Sequence, residues 1–399
     1  MQVAGRMANI KPSATFAVKE KARVLRARGA DVISFAVGEP DFDTPEHVRQ
    51  AAIEAIHQGF TRYTAVSGIE ELREAIAREL GGNYGLVYEP SDIVVSCGAK
   101  HSIYNLAQVL FNPGDEVLIP VPYWVSYPEI VRLADAVPVA VATREEDGFK
   151  LRPEVLEGTI TPRARALILN SPSNPTGSVY TRQELEDLAP ILLRHKLVVI
   201  SDDIYYRILF DDHKWTSLAM LGDELRRQTI IVNGVSKTYA MTGWRIGYLA
   251  AVPEIAAAVN RLQSQNTSNP NSIAQKAAVA ALTGSQECVS RMVAEYDQRR
   301  RHMLMRLAGI PDLGITRPSG AFYIFVNASA YLGRSHRGET ITGSVELASY
   351  LLDEAHLATV PGIAFGDDRC LRLSYALPMA ELDRGLDRLA GALARLGRG

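Results

Sequence analysis

At 399 residues the chain is too long for one small core, so a large domain with a smaller companion is expected. Hydrophobic residues make up 47% and charged residues 22%, an ordinary globular profile, and 43 basic against 45 acidic side chains argue against a polyanionic partner. Cys97, Cys288 and Cys370 have no zinc or disulfide spacing, no apolar run nears the roughly 20 residues of a membrane span, and the first residues carry no export pattern; the expectation is a cytoplasmic protein with no metal, no nucleic acid and no membrane contact.

In chain order, the first 45 residues read as poor in regular structure, an arm plus part of the smaller domain. Glu46–Gln58 and Ile69–Leu80 read as helices, Asp92–Ser96 as a buried strand and Ser102–Leu110 as a helix. Glu116–Ile119, Ala166–Leu169, Leu197–Ser201 and Thr229–Val232 are further short β-rich runs, with helical stretches such as Arg182–Arg194 between them. Strands spaced by helices imply an α/β fold whose mainly parallel sheet is sandwiched by helices. A long helix is expected over Ser285–Ala308, and beyond it Ala321–Val326 and Cys370–Ser374 read as strands of a separate, smaller α+β unit. The expected division is a large domain of 46–285, with 1–45 and 286–399 forming the arm and small domain.

Ligands of such sheets sit beyond the carboxyl ends of the strands, so the segments after each strand carry the chemistry. Cys97-Gly98-Ala99-Lys100 joins a strand to a helix, and small residues there expose backbone N–H groups to a phosphate. Asn170–Gly177, NSPSNPTG, is a rigid loop after a strand, and makes Asn174 a candidate ligand group. In Leu197–Tyr206, LVVISDDIYY, Asp202 falls at a strand end, where a buried charge needs a partner. That carboxylate could pair with a pyridinium nitrogen and Tyr205 could bond a ring oxygen; Asp202-Asp203 would also suit a divalent ion or a helix cap, but no matching ligand cluster accompanies it. In Ile231–Gly247, IVNGVSKTYAMTGWRIG, Lys237 stands eight residues before Arg245, and Gly234, Gly243 and Gly247 would let backbone approach a ligand. A pocket lysine with a depressed pKa condenses with aldehydes.

Together, in this order and at these spacings, the segments resemble the class I, aspartate-aminotransferase-like family of pyridoxal-phosphate enzymes of fold type I, closest to its lysine-reading aspartate/prephenate subgroup. The likeness extends through Lys11-Pro12-Ser13-Ala14-Thr15, Gly38-Glu39-Pro40-Asp41-Phe42, Tyr63-Thr64, Gly68-Ile69, Arg317-Pro318-Ser319-Gly320-Ala321-Phe322-Tyr323 and Arg372-Leu373-Ser374-Tyr375-Ala376, and covers nearly the whole chain.

The resemblance implies pyridoxal 5'-phosphate bound covalently by Lys237, with Asp202 on the pyridinium nitrogen, Tyr205 and Asn174 on the phenolic oxygen and Trp124 stacked on the ring. Arg245 and the backbone of Gly98, Ala99 and Lys100 would hold the phosphate, helped by Tyr63 of a neighbouring subunit in a homodimer. Arg372 would grip the substrate α-carboxylate, with Gly38, Trp124 and Asn174 close by, while Lys100, Ser13 and Thr15 would read the distal end. Lys100 has a rival role as a plain lysine at a helix start. Gly234 stands where some relatives have a phosphate-binding serine, and Asp203 where many have glutamate.

The implied reaction is transamination between an amino acid and a 2-oxo acid, with aspartate and 2-oxoglutarate the leading pair and prephenate a further candidate. The alternatives are an aminotransferase for aromatic amino acids or alanine, a C–S β-lyase on the same site, and a non-catalytic regulator, against which the intact residue set speaks. His101, His195, His302 and His356 read as surface or satisfied residues, Cys97 as a small buried hydrophobe, and Arg299-Arg300-Arg301 as the solvated face of the long helix.

Overall fold

A computed structural model describes residues 2–10, 12 and 14–397; Ser13 and the side chain of Thr15, both expected at the distal end of a substrate, lie outside the described residues. After a 3-10 turn at Gly5–Asn9 comes helix α1 (Ala14–Ala27), followed by α2 (Glu46–His57) and α3 (Glu70–Tyr84). A seven-stranded sheet then builds up with its helices: β1 (Ile93–Ser96), α4 (Ala99–Leu110), β2 (Glu116–Pro120), α5 (Tyr127–Leu133), β3 (Val137–Val141), β4 (Ala164–Asn170), α6 (Arg182–Arg194), β5 (Val198–Asp202), β6 (Thr229–Gly234) and β7 (Gly247–Ala250). Its order is β1-β7-β6-β5-β4-β2-β3, and only β7 runs against its neighbours.

The strands are nearly continuous apolar runs because both faces are covered. Ile168 and Ile200 point to the side of α4 and α5, in one core with Ile103, Leu106 and Ile130. Leu167, Leu169 and Val199 point to the other, against Leu185, Leu188 and Leu192 of α6. Helices α7 (Pro253–Asn266) and α8 (Ser272–Thr283) lead into the 21-residue helix α9 (Glu287–Leu307). Beyond it, β8 (Gly314–Ile315), β9 (Tyr323–Asn327), β10 (Val360–Pro361) and β11 (Cys370–Ser374) form a four-stranded antiparallel sheet in the order β10-β11-β9-β8, flanked by α10 (Ser344–Ala355) and α11 (Met379–Ala394). Its core also takes in Ile33, Phe35, Ile204 and Tyr205, so the segment after β5 docks onto the second sheet.

Three sequence expectations need correction. The first 45 residues are not poor in regular structure: α1 takes 14 of them. Its inward stripe is sparse, with Val18, Ala22 and Leu25 facing a core amid Lys19, Glu20, Lys21, Arg23 and Arg26, so the 3.6-residue period is weak. Gly234 and Gly247 do not open space for a ligand. They pair across β6 and β7, and a Cβ on Gly247 would lie 2.2 Å from the Ala99 nitrogen, so both permit backbone to pack on backbone. Arg299 and Arg300 are buried, and only Arg301 of the three is solvated.

Candidate active site

The strand ends of the large sheet converge on one cleft. Asp202 closes β5, Asn170 closes β4, Lys237 follows β6, Gly98 follows β1 and Trp124 follows β2. Asp202 is 4% exposed. Its Oδ2 accepts a 2.6 Å hydrogen bond from the Tyr127 hydroxyl, and its Oδ1 a long one, 3.3 Å, from the Ile204 N–H. Burial pushes its pKa up to about 6, while Tyr127, the Ile204 amide and the Lys237 charge pull the other way.

Lys237 donates to the Gly38 carbonyl at 2.6 Å. Burial pulls its pKa down to about 8; the positive charges of Arg372 and Arg245 act in the same direction, and Glu39 and Asp202 oppose it. The expectation of a depressed lysine thus has a physical cause in the structure.

Arg372 enters from β11, where it pairs with Phe325 and Val360 across the strands. It donates to Asn174 Oδ1 and to the Ala36 carbonyl, both at 3.0 Å, and its guanidinium lies over the rings of Tyr323 and Phe365 at 4.4 and 5.2 Å. Its Nε is buried without a partner, and among the described residues it makes no ion pair. Burial lowers its pKa. A wholly desolvated cation without an anion is costly, and the geometry suits a carboxylate arriving from outside.

The loop after β4 is fixed at both ends. Asn170 Oδ1 accepts from the Asn174 N–H at 2.8 Å and its Nδ2 donates to the Asp202 carbonyl at 2.7 Å. Gly177, at φ +69°, packs where a Cβ would sit 2.3 Å from Pro318. Tyr205 Oη lies 2.9 Å from Tyr323 Oη. Gly98 has φ +89°, and a Cβ there would meet an Arg245 nitrogen at 2.3 Å, so only glycine allows Arg245 to fold back over the start of α4. Arg245 donates to the Thr242 carbonyl at 2.8 Å and leaves its side chain exposed.

Lys100, in the first turn of α4, extends its ammonium to 4.8 Å from the centre of the Trp124 ring, and burial together with Arg245 lowers its pKa. Gly38, Ala99, Trp124 and Asn174 join the same cleft, whereas Tyr63 stands apart with 89% of its surface exposed. Among the described residues no group of three or more metal-ligating side chains occurs, and no helix is long and apolar enough to cross a membrane.

A family model for class I and II aminotransferases matches residues 30–389. The chain belongs to the class I and II aminotransferases. It is 46% identical over 389 residues to an aspartate aminotransferase of Geobacillus stearothermophilus, covering 98% of both chains. It is 43% identical over 397 residues to an aspartate/prephenate aminotransferase of Nitrosomonas europaea, covering 99% of this chain and 100% of that one. Its backbone matches the crystal structure of the aspartate aminotransferase from Rhizobium meliloti with a TM-score of 0.96 at 43% identity, over 100% of both chains.

For an aminotransferase of this family, four contributors escaped the residue-level reading: Tyr127, Tyr323, Asn170 and Glu39. Asn170 had a usable signal, the last residue of an apolar strand. Tyr127 had another, since it opens α5 three residues after Trp124. Tyr323 and Glu39 reach the cleft only through tertiary folding, Glu39 by accepting from the Thr242 hydroxyl at 3.0 Å.

Proposed function

We propose that the chain holds pyridoxal phosphate on Lys237 and moves the amino group of aspartate onto 2-oxoglutarate, with prephenate as a second acceptor. The observation that carries the reading is the meeting of three groups in one cleft, none of them in an ion pair among the described residues: a lysine near pKa 8, the carboxylate of Asp202 and the guanidinium of Arg372, whose Nε has no partner. These fit an aldehyde, a ring cation and a substrate carboxylate respectively. The glycine at 98, which brings Arg245 over the first turn of α4, fits a phosphate.

When bound, pyridoxal phosphate supplies the sink for the electron pair left by removal of the substrate Cα proton. Arg372 binds and orients the α-carboxylate, which sets the Cα–H bond toward Lys237. Lys237 Nζ takes that proton and returns it on the way to product; a pKa near 8 keeps both of its forms accessible around neutral pH. With the cofactor in place, Asp202 would keep a proton on the ring nitrogen, and Tyr205 with Asn174 would hold the ring oxygen. The names of the relatives support aspartate and prephenate. The Lys100 ammonium over Trp124 supports an anionic distal group.

In the same reading 46–285 is the cofactor-binding domain, consistent with a large sheet confined to 93–250, and the chain works as a cytoplasmic homodimer, consistent with a fully presented Tyr63. A donor panel tests the reaction: aspartate, alanine and an aromatic amino acid with 2-oxoglutarate, then glutamate with prephenate. Aspartate should be the preferred donor, with one glutamate formed per oxo acid consumed. Better turnover with alanine or the aromatic donor would overturn the substrate assignment, and release of pyruvate and ammonia from a cysteine S-conjugate, without an acceptor, faster than aspartate is transaminated would overturn transamination.

A further inference from the structure

We propose that Tyr127 is a positioning residue whose hydroxyl fixes the orientation of the Asp202 carboxylate and keeps it ionised for the ring nitrogen. The inference rests on the reading of Asp202 given above. The 2.6 Å O–H···O distance falls in the range of charge-assisted bonds. Both residues are buried, and among the described residues nothing else donates to Asp202 Oδ2. The bond therefore takes the place of water on that oxygen and leaves Oδ1, with only the long Ile204 contact, as the atom free to meet the cofactor.

Tyr127 is itself held. It is the first residue of α5, its N–H donates to the Trp124 carbonyl at 3.0 Å, and its ring meets the Trp124 indole edge-on at 5.3 Å. One turn of chain thus aims both the expected stacking ring and the carboxylate beneath it. The charged and titratable groups around Asp202 are Lys237 after β6, Asp203 beside it, and the Tyr205 and Tyr127 hydroxyls. Burial raises the Tyr127 pKa well above its usual value, so it remains a donor throughout the working pH range. Without that donor, burial would act on Asp202 with less opposition, and its acid transition would move upward.

The test is Tyr127→Phe, which keeps the ring and its contact with Trp124. Two quantities are read: pyridoxal-phosphate affinity of the apoenzyme as a function of pH, from cofactor absorbance, and kcat and KM of the loaded enzyme. The expected result is an acid limb of binding moved to higher pH and kcat lowered about ten- to hundred-fold with little change in KM, as follows from losing a hydrogen bond to a charged group. Tyr127→His, which restores a ring donor, should recover part of both. A Tyr127→Phe acid limb that coincides with wild type would overturn the proposal, whatever kcat does. Asp202→Asn separates the two readings. If it binds cofactor as wild type does, the role of Asp202 fails and that of Tyr127 falls with it. If Asp202→Asn loses the acid limb while Tyr127→Phe does not move it, only the role of Tyr127 fails. Should Tyr127→Phe not fold, Tyr127→Leu takes its place: a limb moved to higher pH in Tyr127→Leu, with that of Tyr127→His between it and wild type, supports the proposal, and an unmoved limb in Tyr127→Leu overturns it.

Discussion

Asp202 and Asp203 are adjacent, both buried, and differ in what surrounds them. Asp202 has the Tyr127 donor and the Lys237 charge nearby, and its pKa stays near 6. Asp203 accepts from the Ser201 hydroxyl at 2.9 Å and has no partner within hydrogen-bond distance on Oδ2; burial, with the repulsion of Asp202, pushes its pKa up to about 8 against the opposing pull of Ser201 and the nearby Trp215 side chain. A carboxyl whose folded pKa lies above its unfolded value of 3.8 binds more protons folded than unfolded between those limits, so it costs stability as pH rises through that window. Asp203→Asn removes the ionisation while its amide oxygen can still accept from Ser201. The variant should melt at a higher temperature than wild type, with a gain that widens from about pH 4 to about pH 8 and is level above. Thermal unfolding across that range checks this; a pH-independent difference would mean that Asp203 is ionised in the folded protein.

At the scale of elements, long periodic segments and strand ends were legible in the sequence. α6 begins and ends where Arg182–Arg194 was expected, because Thr181 and Glu184 cap it reciprocally and its apolar face is regular. Gly98, Asn174, Asp202 and Lys237 were legible for a related reason, since each lies in the segment where an apolar run ends, whereas Arg372, in the middle of β11, and Trp124 came only through the family resemblance. What escaped depends on partners far along the chain. β7 is only four residues, GYLA, and is a strand because β1 and β6 lie on either side of it. The Arg299-Arg300-Arg301 cluster reads as solvated because three charges normally face water, yet Arg299 Nη1 donates to both carboxylate oxygens of Asp41 and Arg300, 0% exposed, bonds Asp211, Asp297 and the Pro318 carbonyl. Arg300 thereby ties α9 to the segment leading into β9. Arg300→Ala should cost about 3 kcal/mol, the low end for breaking a buried pair because both carboxylates keep access to water, whereas Arg301→Ala should cost about 0.5 kcal/mol or less. Denaturant unfolding of the two variants separates them, and equal losses would contradict the burial argument.

For the whole molecule the open question is what Tyr63 does. A tyrosine with 89% of its surface in water is an odd tenant for a loop so firmly held: Gln275 donates to the Thr64 hydroxyl and accepts from the Ile69 N–H, and Gln263 donates to the Val66 carbonyl. Both glutamines are fully buried, so the loop is rigid and its tip is presented outward. If the tip completes the phosphate site of a second subunit, mixing two defective chains must restore function. In a hybrid of Lys237→Ala and Tyr63→Ala protomers, one cleft has neither residue, while the other has Lys237 from its own chain and Tyr63 from its neighbour. That second cleft is intact, and the hybrid should show about half the activity of wild type although each parent homodimer is impaired. If Tyr63 serves its own chain instead, neither cleft of the hybrid is complete and mixing recovers nothing. Refolding the two variants together and assaying the separated hybrid distinguishes the cases, because restored activity needs a side chain that crosses from one subunit to the other.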